Sequence, residues 1–208
     1  MSQVKKVDGR TEKSRITRAK VLDAAAELFV RDGYGATALQ DIAQAAGVAV
    51  QTIYYGFGNK QTVLKQVVDR SIAGDDEPVA TMDRPWFREA QASTTADQHL
   101  RAHVVGTTEV LSRVAPIMKM LEAAAASDAA VADLWPNADP RLIVQNETAR
   151  SLLTKPGAQK SVTTGHAADI LYAVLSTELY LLLVTTRGWT SEQFADWAYD
   201  VLRPQLCT

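Results

Sequence analysis

The chain has 208 residues, 47% of them apolar and 22% charged. That length holds one large domain or two small ones, and the composition is globular rather than disordered. The single cysteine, Cys207, excludes an intramolecular disulfide and a cysteine-based metal site, and it fits a reducing, cytoplasmic setting. Met1 to Arg10 carries charge but no apolar stretch behind it, against a secretory signal. The most apolar run, Ile170 to Val184, is short for a bilayer span and contains Ser176, Thr177 and Glu178. The net charge of −2 hides an asymmetry: residues 1–65 hold 10 Lys+Arg against 6 Asp+Glu, and residues 66–208 hold 12 against 18. A basic segment on an acidic chain suggests a polyanion partner for that segment, or else a solvated basic tail.

The periodic signals are helical throughout. Leu22, Ala25, Ala26 and Phe29 share one face of a helix over 16–31, stopped by Asp32-Gly33. Thr37-Ala38-Leu39-Gln40 has capping-box spacing, so a second helix is predicted from Thr37 and ends at Gly47. A third covers 50–55, and Asn59 caps a fourth over 60–73. Gly74-Asp75-Asp76-Glu77-Pro78 marks a domain boundary. The reading is therefore a basic arm over 1–13, a helical domain over 14–74 and a larger all-helical domain over 75–208. Helices in the last are predicted at 85–92, 96–114, 116–126, 128–135, 140–153, 164–187 and 191–202. Thr95/Gln98 and Thr190/Gln193 have capping-box spacing, and Asp139-Pro140 sets a cap before a first-turn proline.

The second and third helices are the informative part. Leu39, Ile42, Ala43 and Ala46 form one face, Gly47 makes a tight turn, and Ile53 and Phe57 continue the core. Two short helices joined by a glycine turn form a helix-turn-helix, whose second helix can enter a DNA major groove. Gln51 can offer a donor and an acceptor to adenine, Val50 and Thr52 can meet a thymine methyl, and Tyr54 and Tyr55 can reach phosphates or base edges. The bland alternative is a simple αα-corner with its tyrosines packed inside.

Residues Val21 to Leu64 resemble the DNA-binding domain of the TetR family of bacterial transcriptional regulators. The resemblance lies in Ala-x-Leu-Phe in the first helix, Gly-Tyr-x-x-Thr, Ile-Ala-x-x-Ala-Gly-Val, Tyr-Tyr-x-Phe and Lys60, in order over about 45 residues. Arg187-Gly188-Trp189-Thr190 before an amphipathic helix is similar to the C-terminus of many members. The resemblance implies that Thr37 caps the second helix and contacts a phosphate. Val50, Gln51, Thr52 and Tyr54 would face bases, Tyr55 a phosphate, and Lys60 would sit near the DNA backbone. Ala49 stands where the family commonly has Ser, and Gly56 where it commonly has His after the tyrosine pair. The resemblance also implies dimerisation through the last two helices, for which Leu175, Leu182, Phe194, Trp197 and Val201 are candidates.

His99 and His103 are four apart on one helix face, a spacing that can bind metal, but no third ligand is identifiable and no metal or cofactor is assigned. Met118, Leu121, Trp135 and Tyr172 are candidate lining for an apolar ligand cavity. Cys207, near the chain end, is expected to be exposed. No nucleophile elbow, phosphate loop or paired acidic motif is present. The sequence therefore reads as a one-component regulator rather than an enzyme. It would be a repressor, binding a near-palindromic operator as a homodimer and released by a small molecule. The rivals are an all-helical enzyme or carrier and a non-specific architectural DNA binder.

Overall fold

In a computed structural model the described residues are 9–75, 77, 79–134 and 140–208, with side chains from Lys13 onward. The helices are α1 (Gly9–Asp32), α2 (Leu39–Ala46), α3 (Val50–Phe57), α4 (Lys60–Ala73), α5 (Pro85–Ala92), α6 (Ala96–Ala125), α7 (Ala129–Ala132), α8 (Pro140–Leu153), α9 (Thr164–Val174), α10 (Thr177–Tyr180) and α11 (Ser191–Leu206). A 3₁₀ turn, Thr81–Asp83, precedes α5, and α10 runs on into a wide π turn, Leu181–Thr186.

The chain divides into two compact units. The first comprises residues up to Arg70 together with 119–134. Its core joins Val21, Leu22, Ala25 and Phe29 of α1 to Ile42, Ile53, Val63, Leu64 and Val67, and it also holds Leu121 and Val131. The second comprises 71–118 and the chain beyond 134. There α8 packs along α9, and α11 closes over α9 with Phe194, Ala198, Leu202 and Leu206 fully buried. The last residues are tied down: Gln159 N–H donates to the Leu206 carbonyl at 2.9 Å, and Thr208 N–H to that of Gly157 at 2.8 Å. Cys207 is thus buried rather than exposed, and burial pushes its thiol up to about 11.

Several starts and stops follow local chemistry. Asn59 Oδ1 accepts from Thr62 N–H at 2.8 Å and caps α4. Thr190 and Gln193 exchange side-chain and backbone bonds of 3.1 and 2.8 Å at the start of α11. Gly33 ends α1 in the left-handed region, with φ of 87°.

Among the predicted elements that differ, three are instructive. α1 begins at Gly9, within the segment read as an arm. The predicted pair 96–114 and 116–126 is one helix, α6, with Pro116 inside it. Pro116 removes one helical N–H, but Val114, Ala115 and Ile117 are buried on either side, so packing holds the helical path. The predicted helix 164–187 is interrupted instead: Ser176 takes an extended conformation, and its hydroxyl accepts from Leu179 N–H at 3.2 Å to start α10. The start of α8 at Asp139 lies outside the described residues.

Candidate nucleic-acid interface

The α2–α3 pair is built from a narrow set of contacts. Ile42 and Ala43 are buried on α2, and Ile53 and Phe57, one turn apart, are buried on α3. Gly47 turns the chain with φ of 67°; its N–H donates to Gln44, and Val48 N–H donates to the Ala43 carbonyl at 3.0 Å. An L residue at Gly47 would meet no neighbour, so the left-handed backbone alone selects glycine.

Anchoring α3 through Ile53 and Phe57 turns its other side outward. Gln51, Thr52, Tyr54 and Tyr55 are exposed and Val50 is half-buried. Tyr54 is 51% and Tyr55 97% exposed, so the tyrosines are not packed inside an αα-corner. An exposed phenol can offer its hydroxyl to an external polar partner. Beside α3, α1 adds Lys13, Ser14, Thr17 and Arg18, which with Thr52, Tyr55 and Gly56 line an open cleft of about 400 Å³. Arg18 lies 4.8 Å over the Phe57 ring and donates to the Gly56 carbonyl at 3.3 Å, so its guanidinium is fixed beside α3. Ser14 and Thr17 were absent from the sequence candidates; their signal is helical spacing with Lys13, Arg18 and the buried Val21.

Two residues expected at the DNA are engaged inside the chain. Thr37 is only 3% exposed, and its hydroxyl donates to the Gly33 carbonyl at 2.8 Å. The cap of α2 falls one residue later: Ala38 N–H donates to Asp41 Oδ2 at 2.9 Å. Thr37 therefore closes the α1–α2 loop with its hydroxyl. Lys60 also points inward. Its ammonium donates to the Tyr34 and Thr37 carbonyls at 2.8 and 3.0 Å and sits 4.2 Å from the Tyr34 ring centroid. Burial lowers its pKa. The Gly-Tyr-x-x-Thr motif and Lys60 thus form one internal brace that sets α1, α2 and α4 around the exposed helix. At α3, Ala49 provides no side-chain cap, and Gly56 leaves the cleft open.

The other candidates lie elsewhere. Leu121 is buried in the first unit; Met118 and Tyr172 are half-buried in the second; Trp135 lies outside the described residues. The Tyr172 hydroxyl accepts from Arg141 at 2.8 Å. Of the candidate dimer residues, Leu175 and Phe194 are buried in the protomer's own core, whereas Trp197 and Val201 are half-buried and Leu182 is 49% exposed. His99 and His103 are both fully buried, and among the described residues no cluster of three potential ligands could hold a metal ion.

Residues 21–67 match the family described as bacterial regulatory proteins, tetR family. The repressor ComR of Escherichia coli is 41% identical over 69 residues, 33% of this chain and 32% of ComR. The regulator TtgR of Pseudomonas putida is 38% identical over 58 residues, 28% of each chain. The chain thus matches about a third of the length of such curated relatives, all of it sequence likeness. Fold likeness extends further. The fatty acid degradation regulator FadR from Bacillus halodurans superposes with a TM-score of 0.67 at 19% identity, over 89% of this chain and 93% of that one. NalD, the secondary repressor of the MexAB-OprM multidrug efflux pump in Pseudomonas aeruginosa, gives 0.60 at 19% identity over 94% and 98%. A chain from Saccharomonospora viridis in complex with choline gives 0.70 at 19% identity over 92% and 97%. Residues 21–67 thus match the tetR family in sequence, and the remaining helices match such solved structures in fold alone.

Proposed function

We propose that the protein is a ligand-responsive transcriptional repressor of the cytoplasm that binds a near-palindromic DNA operator as a homodimer. The observation that carries this reading is α3, braced from behind by Ile53 and Phe57 and turning Gln51, Thr52, Tyr54 and Tyr55 to solvent beside basic α1. Gln51 reads a base edge, Val50 and Thr52 meet thymine methyls, and the tyrosines reach phosphates or base edges. Lys13, Arg18 and the basic residues before them supply the salt-dependent part of the affinity. Thr37 and Lys60 contribute indirectly, by fixing α1, α2 and α4.

Dimerisation rests on the residues that the protomer leaves partly uncovered, Leu182, Trp197 and Val201. A two-fold copy would cover them and place the second α3 at the neighbouring half-site. Release requires an effector whose affinity differs between two states of the dimer. That one fold neighbour was solved with choline supports, by analogy, an effector site in the second unit.

The test is selection of binding sites from random duplex DNA, followed by affinity measurements over a salt series. The reading predicts an inverted-repeat site whose affinity falls steeply with salt. An enzyme or carrier would show no such dependence, and an architectural binder would select no sequence.

A further inference from the structure

The second unit contains a polar cluster that its core does not need. His99, His103 and Gly106 stand at i, i+4 and i+7 on one face of α6, and both imidazoles are fully buried. His103 is held in a defined tautomer: its Nε2–H donates to Gln145 Oε1 at 2.8 Å, and its Nδ1 accepts from the Thr148 hydroxyl at 3.3 Å. His99 is different. Neither of its ring nitrogens has a hydrogen-bond partner among the described residues. Leucine would fill the position of His99 without stranding two polar atoms, so packing does not explain the histidine. Aromatic side chains cover the same face. The Trp86 ring centre lies 6.0 Å and that of Phe87 6.3 Å from the His103 ring. Trp86 is half-buried, and its six-membered ring lies directly on Gly106, where a Cβ would fall 2.2 Å from Cε3. A glycine in mid-helix thus gives the indole its seat.

We propose that the His99–His103–Gly106 face of α6, with Trp86 as its cover, binds an uncharged planar ligand carrying a hydrogen-bonding group, of the class of a phenol or an indole. The inference rests on the proposed effector-binding role of the second unit and names its ligand class. His99 supplies one donor and one acceptor to the ligand. His103, Gln145 and Thr148 are positioning residues, and Trp86 and Phe87 give the aromatic wall on which a planar ring stacks. The ligand is uncharged because, among the described residues, the face offers no free cation. Burial keeps both imidazoles neutral, with His99 lowered to about 3 and His103 to about 4. The nearby Lys155 ammonium is already committed to the Gln91 and Ser93 carbonyls at 2.8 and 2.7 Å. Burying a carboxylate here would leave its charge unbalanced.

The experiment measures binding of phenol and of indole to the full chain by calorimetry and by thermal shift at neutral pH, with benzoate as the anionic comparison. Wild type is expected to bind phenol or indole with a concentration-dependent rise in Tm, and benzoate much more weakly. His99→Leu is expected to raise the Tm of the ligand-free protein while lowering affinity by roughly tenfold or more. His99→Gln, which keeps a donor and an acceptor, is expected to retain binding. A purely structural histidine would not combine gained stability with lost binding. The proposal is overturned if wild type binds neither probe, if benzoate binds more tightly, if His99→Leu binds like wild type, or if His99→Leu is destabilised or fails to fold. Operator affinity with and without phenol separates the two readings: binding through His99 that leaves operator affinity unchanged keeps this site and refutes effector release through it.

Discussion

Lys60→Met separates a brace from a DNA contact. The substitution keeps the length and apolar body of the side chain over the Tyr34 ring and removes only the ammonium. Two charge-assisted bonds are lost, to the Tyr34 and Thr37 carbonyls. Each such bond is worth about 1.5–3 kcal/mol when made to a charged group. The lysine, however, desolvates an ammonium that methionine does not, as its lowered pKa records. We expect a net loss of about 2 kcal/mol, or roughly 4–8 °C in Tm for a chain of this size. Urea unfolding followed by circular dichroism measures the stability. Operator affinity at several salt concentrations, taken where the variant remains folded, measures the contact. A brace predicts lower stability and an unchanged slope of log affinity against log salt. Unchanged stability with a slope lower by about one would refute the brace and make Lys60 a phosphate contact.

Other outcomes follow from the same geometry. Gly47→Ala forces a left-handed backbone on an L residue and is expected to cost about 1–2 kcal/mol, read as a lower urea midpoint, although no neighbour is touched. The buried His99 and His103 take up protons far less readily than the unfolded chain, where the value is about 6.5. Their contribution to stability is complete above that value and is lost as pH falls from about 6.5 towards 3–4. Urea midpoints should therefore drop between pH 7 and pH 5, and His99→Leu should flatten that drop; an identical drop in the variant contradicts the linkage. Trp197→Glu places a carboxylate in the proposed two-fold contact and should give a helical monomer with weakened operator binding in sedimentation and anisotropy measurements. A wild-type protein that is monomeric yet binds one half-site tightly would defeat the dimer reading.

Much of the fold is legible because its signals are local. Asn59, Gly33, Gly47 and the Thr190/Gln193 pair act within a turn of their own position, and the structure uses each as its chemistry suggests. The cap of α2 was less legible because two overlapping patterns compete. Thr37-x-x-Gln40 has the better capping residue, but burial turns the Thr37 hydroxyl towards Gly33, and Asp41 serves Ala38 instead. Pro116 and Ser176 show the limit of local rules. A helix continues through the proline where its flanks are buried, and an apolar helix breaks at a serine that can cap a new turn. At the candidate site, the outward residues of α3 could be read from the spacing of Ile53 and Phe57. The inward turn of Lys60 could not, because its partners are carbonyls more than twenty residues away. The burial of His99 and His103 was hidden for a related reason: their i, i+4 spacing defines a face but not what covers it.

The central claim is that α3 reads DNA bases through Gln51. The most direct measurement compares wild type and Gln51→Ala on the selected operator and on a panel of its single-base variants at fixed salt. The account predicts a loss of about 1–3 kcal/mol on the operator and a relaxed preference at one base pair of each half-site, with other positions unchanged. An unchanged preference profile, or an equal weakening on every sequence, would contradict it.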